Sequence, residues 1–390
     1  MYINPFKPTA GKTPPQLVGR EQILLDFTEG LENGSGAPEL LMRITGPRGS
    51  GKTVMLNELG KIARDRGWLV IDETASPNLG SRILEQLQKP QHKFGNFASA
   101  KFEPRISAAG LDVSLGEITI EPTMLPTTLR QAISMRLNAM KPNQGIMITI
   151  DEIQDAQDDE ITAIAIAIQH LIREDNNVAF VFAGLPQFTS ELLNAKLLTF
   201  LRRATVENLG DVPLQEVSQS YQEVLSQNNA ETSQELVDKM ADASEGYPYL
   251  IQLVGYGVWR AATRRTEKET QARQSTGQTT DKHNKKQPPL IITETDVEAG
   301  IVEARARVGQ AVCAPAINGL SDVSLEFIQA MAIDNGPSKI SDIAQRLNKD
   351  KSYIASYRSR LIEEKVIRSA GYGLVDFALP YMREYLRSIM

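Results

Sequence analysis

The sequence is poor in the residues that build covalent and metal-held scaffolds. Its 390 residues contain a single cysteine, Cys313. One thiol cannot close an internal disulfide or supply a cysteine-rich zinc site, so a reducing compartment suits the chain. The three histidines, His92, His170 and His283, have no metal-ligand spacing, and no Ser-His-Asp set can be assembled from them. No run of about 18 apolar residues occurs, so no membrane-spanning helix is expected. The opening MYINPFKPTAGK has no apolar stretch of signal-peptide type, and a cytoplasmic location is the expectation. Aromatics make up only 6%, but hydrophobic residues reach 41% and charged residues 23%. Those proportions exclude wholesale disorder and collagen-like repeats and fit an ordinary globular chain. Basic residues are also in deficit: the formal net charge is -6, which for the whole chain argues against nucleic-acid binding.

What is present is an alternation of apolar runs with helical spacing. Residues 1–15 are rich in Pro, Lys and Thr and read as an extended arm. Glu39–Thr45, Trp68–Asp72, Gly145–Ile150, Val178–Ala183 and Ala204–Leu209 predict strands. Thr53–Gly67, Gly80–Gln88 and Thr127–Met140 predict helices between them. Asp159–Arg173 contains ITAIAIAI, which alternates like a strand; its alanines and its length predict a helix. A β-hairpin is expected around 106–120. The alternation implies a doubly wound, mostly parallel α/β sheet. After Gly210 the pattern turns helical: Leu214–Gln227, Ser233–Ala243, Tyr249–Arg264 and Thr295–Arg307. Residues 265–289 are almost wholly polar and read as a disordered insertion. The expected organisation is an arm over 1–15, an α/β domain over 16–210, a helical lid over 211–312 and a last unit over 313–390.

Two motifs carry chemistry. Gly46-Pro47-Arg48-Gly49-Ser50-Gly51-Lys52-Thr53 fits G-x-x-x-x-G-K-[ST], with an apolar strand before it and an amphipathic helix after it, and these residues with Val54 are the candidate nucleotide contacts. Glycines let backbone N–H groups wrap phosphate oxygens, Lys52 reaches the β- and γ-phosphates, and the Thr53 hydroxyl ligates Mg²⁺. Met147–Ile150 is an apolar strand interior that delivers Asp151 at its end, where a carboxylate can support the metal through water. Glu152 follows directly and is placed to polarise a water for attack on the γ-phosphate of ATP. The acidity of the nearby Asp155, Asp158, Asp159 and Glu160 is by itself also that of a helix start.

Together these motifs resemble the AAA+ and related P-loop ATPases, in particular the group with the Orc1/Cdc6-like and archaeal-type ATPases. Leu17-Val18-Gly19-Arg20-Glu21 is similar to that group's VGRE segment, which implies a place for Val18, Gly19 and Arg20 beside the adenine. Asp151-Glu152-Ile153-Gln154 is similar to its DEIQ form. The resemblance covers about residues 16–262 and implies ATP and Mg²⁺ as ligands, hydrolysis to ADP and phosphate, and a possible homo-oligomer. Arg202 and Arg203 occupy the position from which family members extend an arginine to a neighbour's ATP, although two arginines at a helix end also suit the helix dipole. Two departures stand out. No Asn, Thr or Ser follows Val178–Ala183 where the family carries a γ-phosphate sensor. The lid reads Glu245-Gly246-Tyr247-Pro248-Tyr249, similar to the G-x-P element of signal-transduction (STAND) ATPases. Pro248 is then either a nucleotide contact or an ordinary proline at a helix start.

The last unit has its own pattern. Leu325–Ile333, Ser338–Leu347 and Lys351–Glu364 predict helices, and Val366–Arg368 with Leu374–Leu379 predict a hairpin about Gly371-Tyr372-Gly373. This order resembles a winged helix-turn-helix. The resemblance implies double-stranded DNA as a partner, with Lys351, Tyr357, Arg358 and Arg360 on the third helix as candidate contacts; a protein-contact role is the alternative. Residues 338–390 hold ten Lys/Arg against six Asp/Glu, which leaves 32 against 42 in the rest of the chain. The acidic total therefore conceals a basic module.

Overall fold

The computed structural model describes residues 2–9, 11–89, 128–185, 196–275 and 288–390. The hairpin expected over 106–120 lies outside them. The first half is built on five parallel strands: β1 (Leu41–Thr45), β2 (Leu69–Thr74), β3 (Ile146–Asp151), β4 (Val178–Gly184) and β5 (Thr205–Asn208). Their spatial order is β2-β3-β4-β1-β5. In a parallel sheet every strand ends on the same edge, so residues 45, 151, 184 and 208 share one rim.

Both faces of the sheet are covered, which is why its strands read as continuous apolar runs. Along β3, Ile146, Ile148 and Ile150 pack on one face with α3 (Leu79–Gln88), α4 (Leu129–Asn138) and α5 (Asp158–Arg173). On the other face Met147, with Ala179, Val181 and Ala183 of β4, packs against α1 (Glu21–Asn33) and α2 (Lys52–Asp65). Helix α1 is additional to the elements expected from periodicity; its Phe27 and Leu31 are buried. In α5, Ile161, Ile164, Ala165, Ile168 and Leu171 are buried while Ile166 is exposed. Helical spacing therefore governs ITAIAIAI, and its alternation is incidental.

The lid comprises α6 (Leu214–Gln227), α7 (Gln234–Ser244), α8 (Pro248–Ser275) and α9 (Glu294–Val308), with a short parallel pair β6 (Ala230–Glu231) and β7 (Leu290–Ile291). Helices α8 and α9 cross at Gly257 and Gly300, where a Cβ on Gly300 would stand 2.4 Å from the Val258 nitrogen. The expected disordered insertion needs correcting in its first part, since α8 runs on to Ser275. Arg265 anchors the start of the extension. It donates to both carboxylate oxygens of buried Asp296 and to the Ile291 carbonyl. Residues 276–287 lie outside the described set. The arm, 2–9 and 11–15, has no regular structure but is firmly packed: Phe6 belongs to the lid core, edge-on to Tyr221.

From α9 the chain passes through a π-helical turn, Gly309–Cys313, into α10 (Ala314–Ile317). The last unit then contains α11 (Asp322–Ala332), α12 (Ile340–Arg346), α13 (Lys351–Glu363) and α14 (Met382–Ile389). With them stands an antiparallel sheet ordered β8 (Ser338–Lys339), β10 (Leu374–Phe377), β9 (Ile367–Gly371). The helix expected from Ser338 begins two residues later. Ser338 and Lys339 pair with Val375 and Leu374, so the expected hairpin is a three-stranded sheet. Cys313 is buried in this unit's core, and burial pushes its thiol up to about 12. Among the described residues no helix is long and apolar enough to cross a membrane.

Candidate nucleotide site

The loop Gly46–Gly51 joins β1 to α2 at the rim. Gly49 and Gly51 have φ of +74° and +95°, a region that favours glycine. Helix α2 starts without a side-chain cap, so the N–H groups of its first turn face the loop, the arrangement that binds phosphate. Lys52 is buried, and its Nζ donates to the carbonyls of Gly46 and Pro47 at 3.2 Å each. Burial lowers the Lys52 ammonium below its ordinary pKa, opposed by the charges of Glu152 and Asp151. Ser50 Oγ is buried with no hydrogen-bond partner among the described residues. A buried hydroxyl donor and an ammonium held only by carbonyls fit phosphate oxygens.

Thr53 Oγ1 donates to Asp151 Oδ2 at 2.5 Å. The sheet makes this contact: β4 separates β1 from β3, so Asp151 emerges across the rim from the first turn of α2. The other oxygen of Asp151 accepts the Glu152 N–H at 2.9 Å. An alcohol and a carboxylate meeting beside a phosphate loop are the oxygen donors that a hard cation such as Mg²⁺ takes. Among the described residues no cluster of three or more His, Cys, Asp or Glu offers a different metal centre.

These groups open on a cavity of about 870 Å³, within the range that holds small-molecule ligands. Of the residues singled out by sequence, Val18, Arg20, Arg48, Gly49, Ser50, Gly51, Lys52, Thr53, Val54, Glu152 and Pro248 line it. Gly46 and Pro47 contribute the carbonyls that hold Lys52, and Asp151 is joined through Thr53. Pro248 is both the first residue of α8 and a wall of the cavity. Gly19 packs beneath, against Val212 and Glu216. Arg202 and Arg203 are exposed at the end of a 3₁₀ segment, away from the cavity lining. Tyr357, Arg358 and Arg360 sit on α13 in the last unit. Tyr357 and Arg358 are half-buried, and Arg360 is exposed and paired with Glu364 at 3.0 Å. Lys351 opens that helix.

The cavity also has walls that local sequence patterns do not reveal. The arm contributes Lys7, Pro8, Thr9, Gly11, Lys12 and Pro14, and the π-helical turn contributes Ala311 and Val312. The arm is tied to the lid through Asn4 to the Tyr256 carbonyl and through the Lys7 N–H to Gln252 Oε1. It is tied to α2 through Asn57 to the Gly11 carbonyl and Thr13 to Glu58. Tyr247 closes the lid onto the loop: its hydroxyl donates to the Arg48 carbonyl, and a Cβ on Gly49 would strike it. The abundance of Pro and Lys in the arm was a signal of extension only, and nothing in it pointed back to the loop.

Comparison with known proteins agrees with this geometry. Residues 16–181 match the AAA ATPase domain family, and residues 310–386 match a domain of unknown function, DUF8462. No curated protein matches the chain in sequence. Among solved structures, a Walker-type ATPase of Pyrococcus abyssi aligns with a TM-score of 0.63 at 15% identity, over 95% of this chain and 96% of that one. The Orc2 protein of Aeropyrum pernix, in its ADPNP–ADP complexes, aligns at 0.57 and 13% identity, over 98% of this chain and 96% of that one. At such identities the likeness is one of fold. Residues 16–181 of this chain thus match the AAA ATPase domain family, and the chain shares the P-loop ATPase fold of these structures.

Proposed function

We propose that the chain is an ATP-hydrolysing switch of the AAA+ type, whose C-terminal unit is a winged helix that takes double-stranded DNA. The observation that carries the first part is the Thr53–Asp151 contact at 2.5 Å, with Lys52 and Glu152 beside it on one cavity. Ser50, Lys52 and the N–H groups of the loop would hold the phosphates, and Val18, Arg20 and Pro248 would line the base end. Mg²⁺, held through Thr53 and Asp151, would neutralise charge on the β- and γ-oxygens. Glu152 would accept the proton of the water that attacks the γ-phosphorus, as the bond to the bridging oxygen breaks and ADP leaves. Arg202 and Arg203, exposed and outside the lining of their own cavity, would act on ATP in a neighbouring copy of a homo-oligomer. Lys52→Ala should abolish nucleotide binding or turnover. Glu152→Gln should retain ATP and stop turnover; normal hydrolysis by that variant would refute its assignment.

The DNA reading rests on the placement of α13. It packs on α11, α12 and β9 of its own unit, which leaves Ser352, Tyr353, Ser356 and Arg360 exposed. Lys351, Tyr357, Arg358 and Arg360 are the residues proposed to meet the duplex. Binding should weaken with salt as phosphate contacts release counterions. Anisotropy of a labelled duplex over a salt series, with and without ATP, tests this; no salt-sensitive binding to any duplex would refute it. A second reading, a STAND-like switch with this unit held on the lid, is favoured by Tyr381. Its hydroxyl donates to the Ala243 carbonyl at 2.7 Å, and Arg305 lies 4.7 Å over its ring. That reading predicts tightly held ADP and assembly on exchange to ATP, and a nucleotide-free, strictly monomeric protein would count against it.

A further inference from the structure

The rim position at the end of β4, where a polar side chain sensing the γ-phosphate was expected and not found, is served from the neighbouring strand. Gln154 lies in the 3₁₀ turn Ile153–Asp155 that follows β3. Its Nε2 donates to Glu152 Oε2, and its Oε1 accepts the Leu185 N–H at 3.2 Å, one residue past β4. The two bonds agree on the orientation of the amide, because only its NH₂ can face a carboxylate and only its carbonyl can face an N–H. Glu152 has φ of +51°, a left-handed conformation that costs free energy in a residue other than glycine. That backbone aims the side chain, and Gln154 fixes its far end. Glu152 lines the same cavity as Lys52 and Thr53 of the phosphate loop. Glu152, Gln154 and Leu185 all line the cavity.

We propose that Gln154 is a positioning residue for hydrolysis: it holds the Glu152 carboxylate on the cavity side and ties it to the end of β4. The proposal rests on Glu152 activating the water. Because β4 lies between the strand that carries the phosphate loop and the strand that carries Glu152, this one amide links the glutamate to the strand that separates it from the loop. No side chain from β4 is then required.

The test compares Gln154→Leu, Gln154→Glu and Glu152→Gln in the full chain. Steady-state ATP hydrolysis is followed from pH 5 to 9, and the affinity for a fluorescent ADP is measured separately. Removing a group that orients a reacting group costs about 10–100-fold. Gln154→Leu should therefore lower kcat at least tenfold while KM and ADP affinity stay within about twofold. Gln154→Glu keeps the acceptor for Leu185 but sets two carboxylates together. It should therefore also lower kcat, since a second carboxylate repels Glu152 instead of donating to it. A merely structural role would not lower kcat alone while leaving KM and ADP affinity unchanged. If Glu152→Gln is inactive while Gln154→Leu turns over at the wild-type rate, or faster, the positioning role is overturned and the Glu152 assignment survives. If Glu152→Gln itself hydrolyses ATP normally, the assignment fails and the role of Gln154 falls with it.

Discussion

Phe6 is the anchor of the arm that walls the nucleotide cavity, and replacing it by alanine isolates that function. Its side chain is 3% exposed, packed edge-on against Tyr221 at 5.8 Å and pressed onto Gly255, where an added Cβ would lie 2.5 Å from the ring. A buried aromatic side chain removes roughly 150 Å² or more from water. At about 25 cal/mol per Å² that amounts to about 4 kcal/mol, inside the range measured for such truncations. Other ties of the arm include hydrogen bonds from Tyr2, Asn4, Lys7, Asn57 and Thr13, each contributing about 1 kcal/mol. Because the arm has no regular structure, the loss should appear as local opening while the domain stays folded. A shift of about 4 kcal/mol is roughly a thousandfold change in an opening equilibrium. Hydrogen exchange followed by mass spectrometry should show the arm, including the Lys7 amide bonded to Gln252, speeding up by a factor approaching that. Exchange in α2 and in the five-stranded sheet should be unchanged. Phe6→Leu should recover most of the protection, and ADP should slow arm exchange in the wild type, because a ligand under the arm favours its closed state. An arm that exchanges within tenfold of wild type in Phe6→Ala would refute this account.

Three further outcomes are expected. Arg265→Ala leaves Asp296 buried without its partner, and breaking such a pair costs about 3 kcal/mol or more; thermal unfolding should show a large drop, and a midpoint within a degree of wild type would contradict it. Tyr247→Phe removes the hydroxyl bond to Arg48, about 1 kcal/mol, so ADP should bind roughly fivefold more weakly by fluorescence titration, with unchanged affinity as the refuting result. Hydrogen bonds from Arg346 hold the Asp334 carboxyl down at about 2. A carboxyl lowered on folding contributes stability that is present above its ordinary value near 4 and is lost as pH falls toward 2. The thermal midpoint should therefore fall more steeply between pH 4 and 2 in the wild type than in Asp334→Asn, and equal slopes would exclude the pairing.

The elements that could be anticipated are those whose reasons lie within a few residues. The strand, loop and helix around Gly46–Thr53, and the strand that delivers Asp151, follow from glycine placement and apolar spacing. Helix α5 was ambiguous in alternation and was decided by alanine content and length. Errors fell where a distant partner supplied the reason. Residues 265–275 have no apolar face that would announce a helix; the first of them, Arg265, is anchored by Asp296, 31 positions away, and pairs with Glu269 one turn on. Ser338 and Lys339 read as the start of a helix, but the open edge of β10 recruits them as a strand.

The candidate site divides the same way. The amino-acid sequence alone determined the phosphate-binding loop, the acidic pair and the basic excess of the last unit, because each is a local arrangement of side chains. It could not determine that Thr53 meets Asp151 across 98 positions, that Tyr247 closes on Arg48 across 199, or that Gln154 joins Glu152 to the end of β4. Those contacts depend on the strand order of the sheet and on the lid folding back over the loop, just as the arm's wall of the cavity depends on an apolar hole for Phe6. Packing decides such encounters, since hydrophobic burial is set by which faces meet in space and is indifferent to the distance between them along the chain.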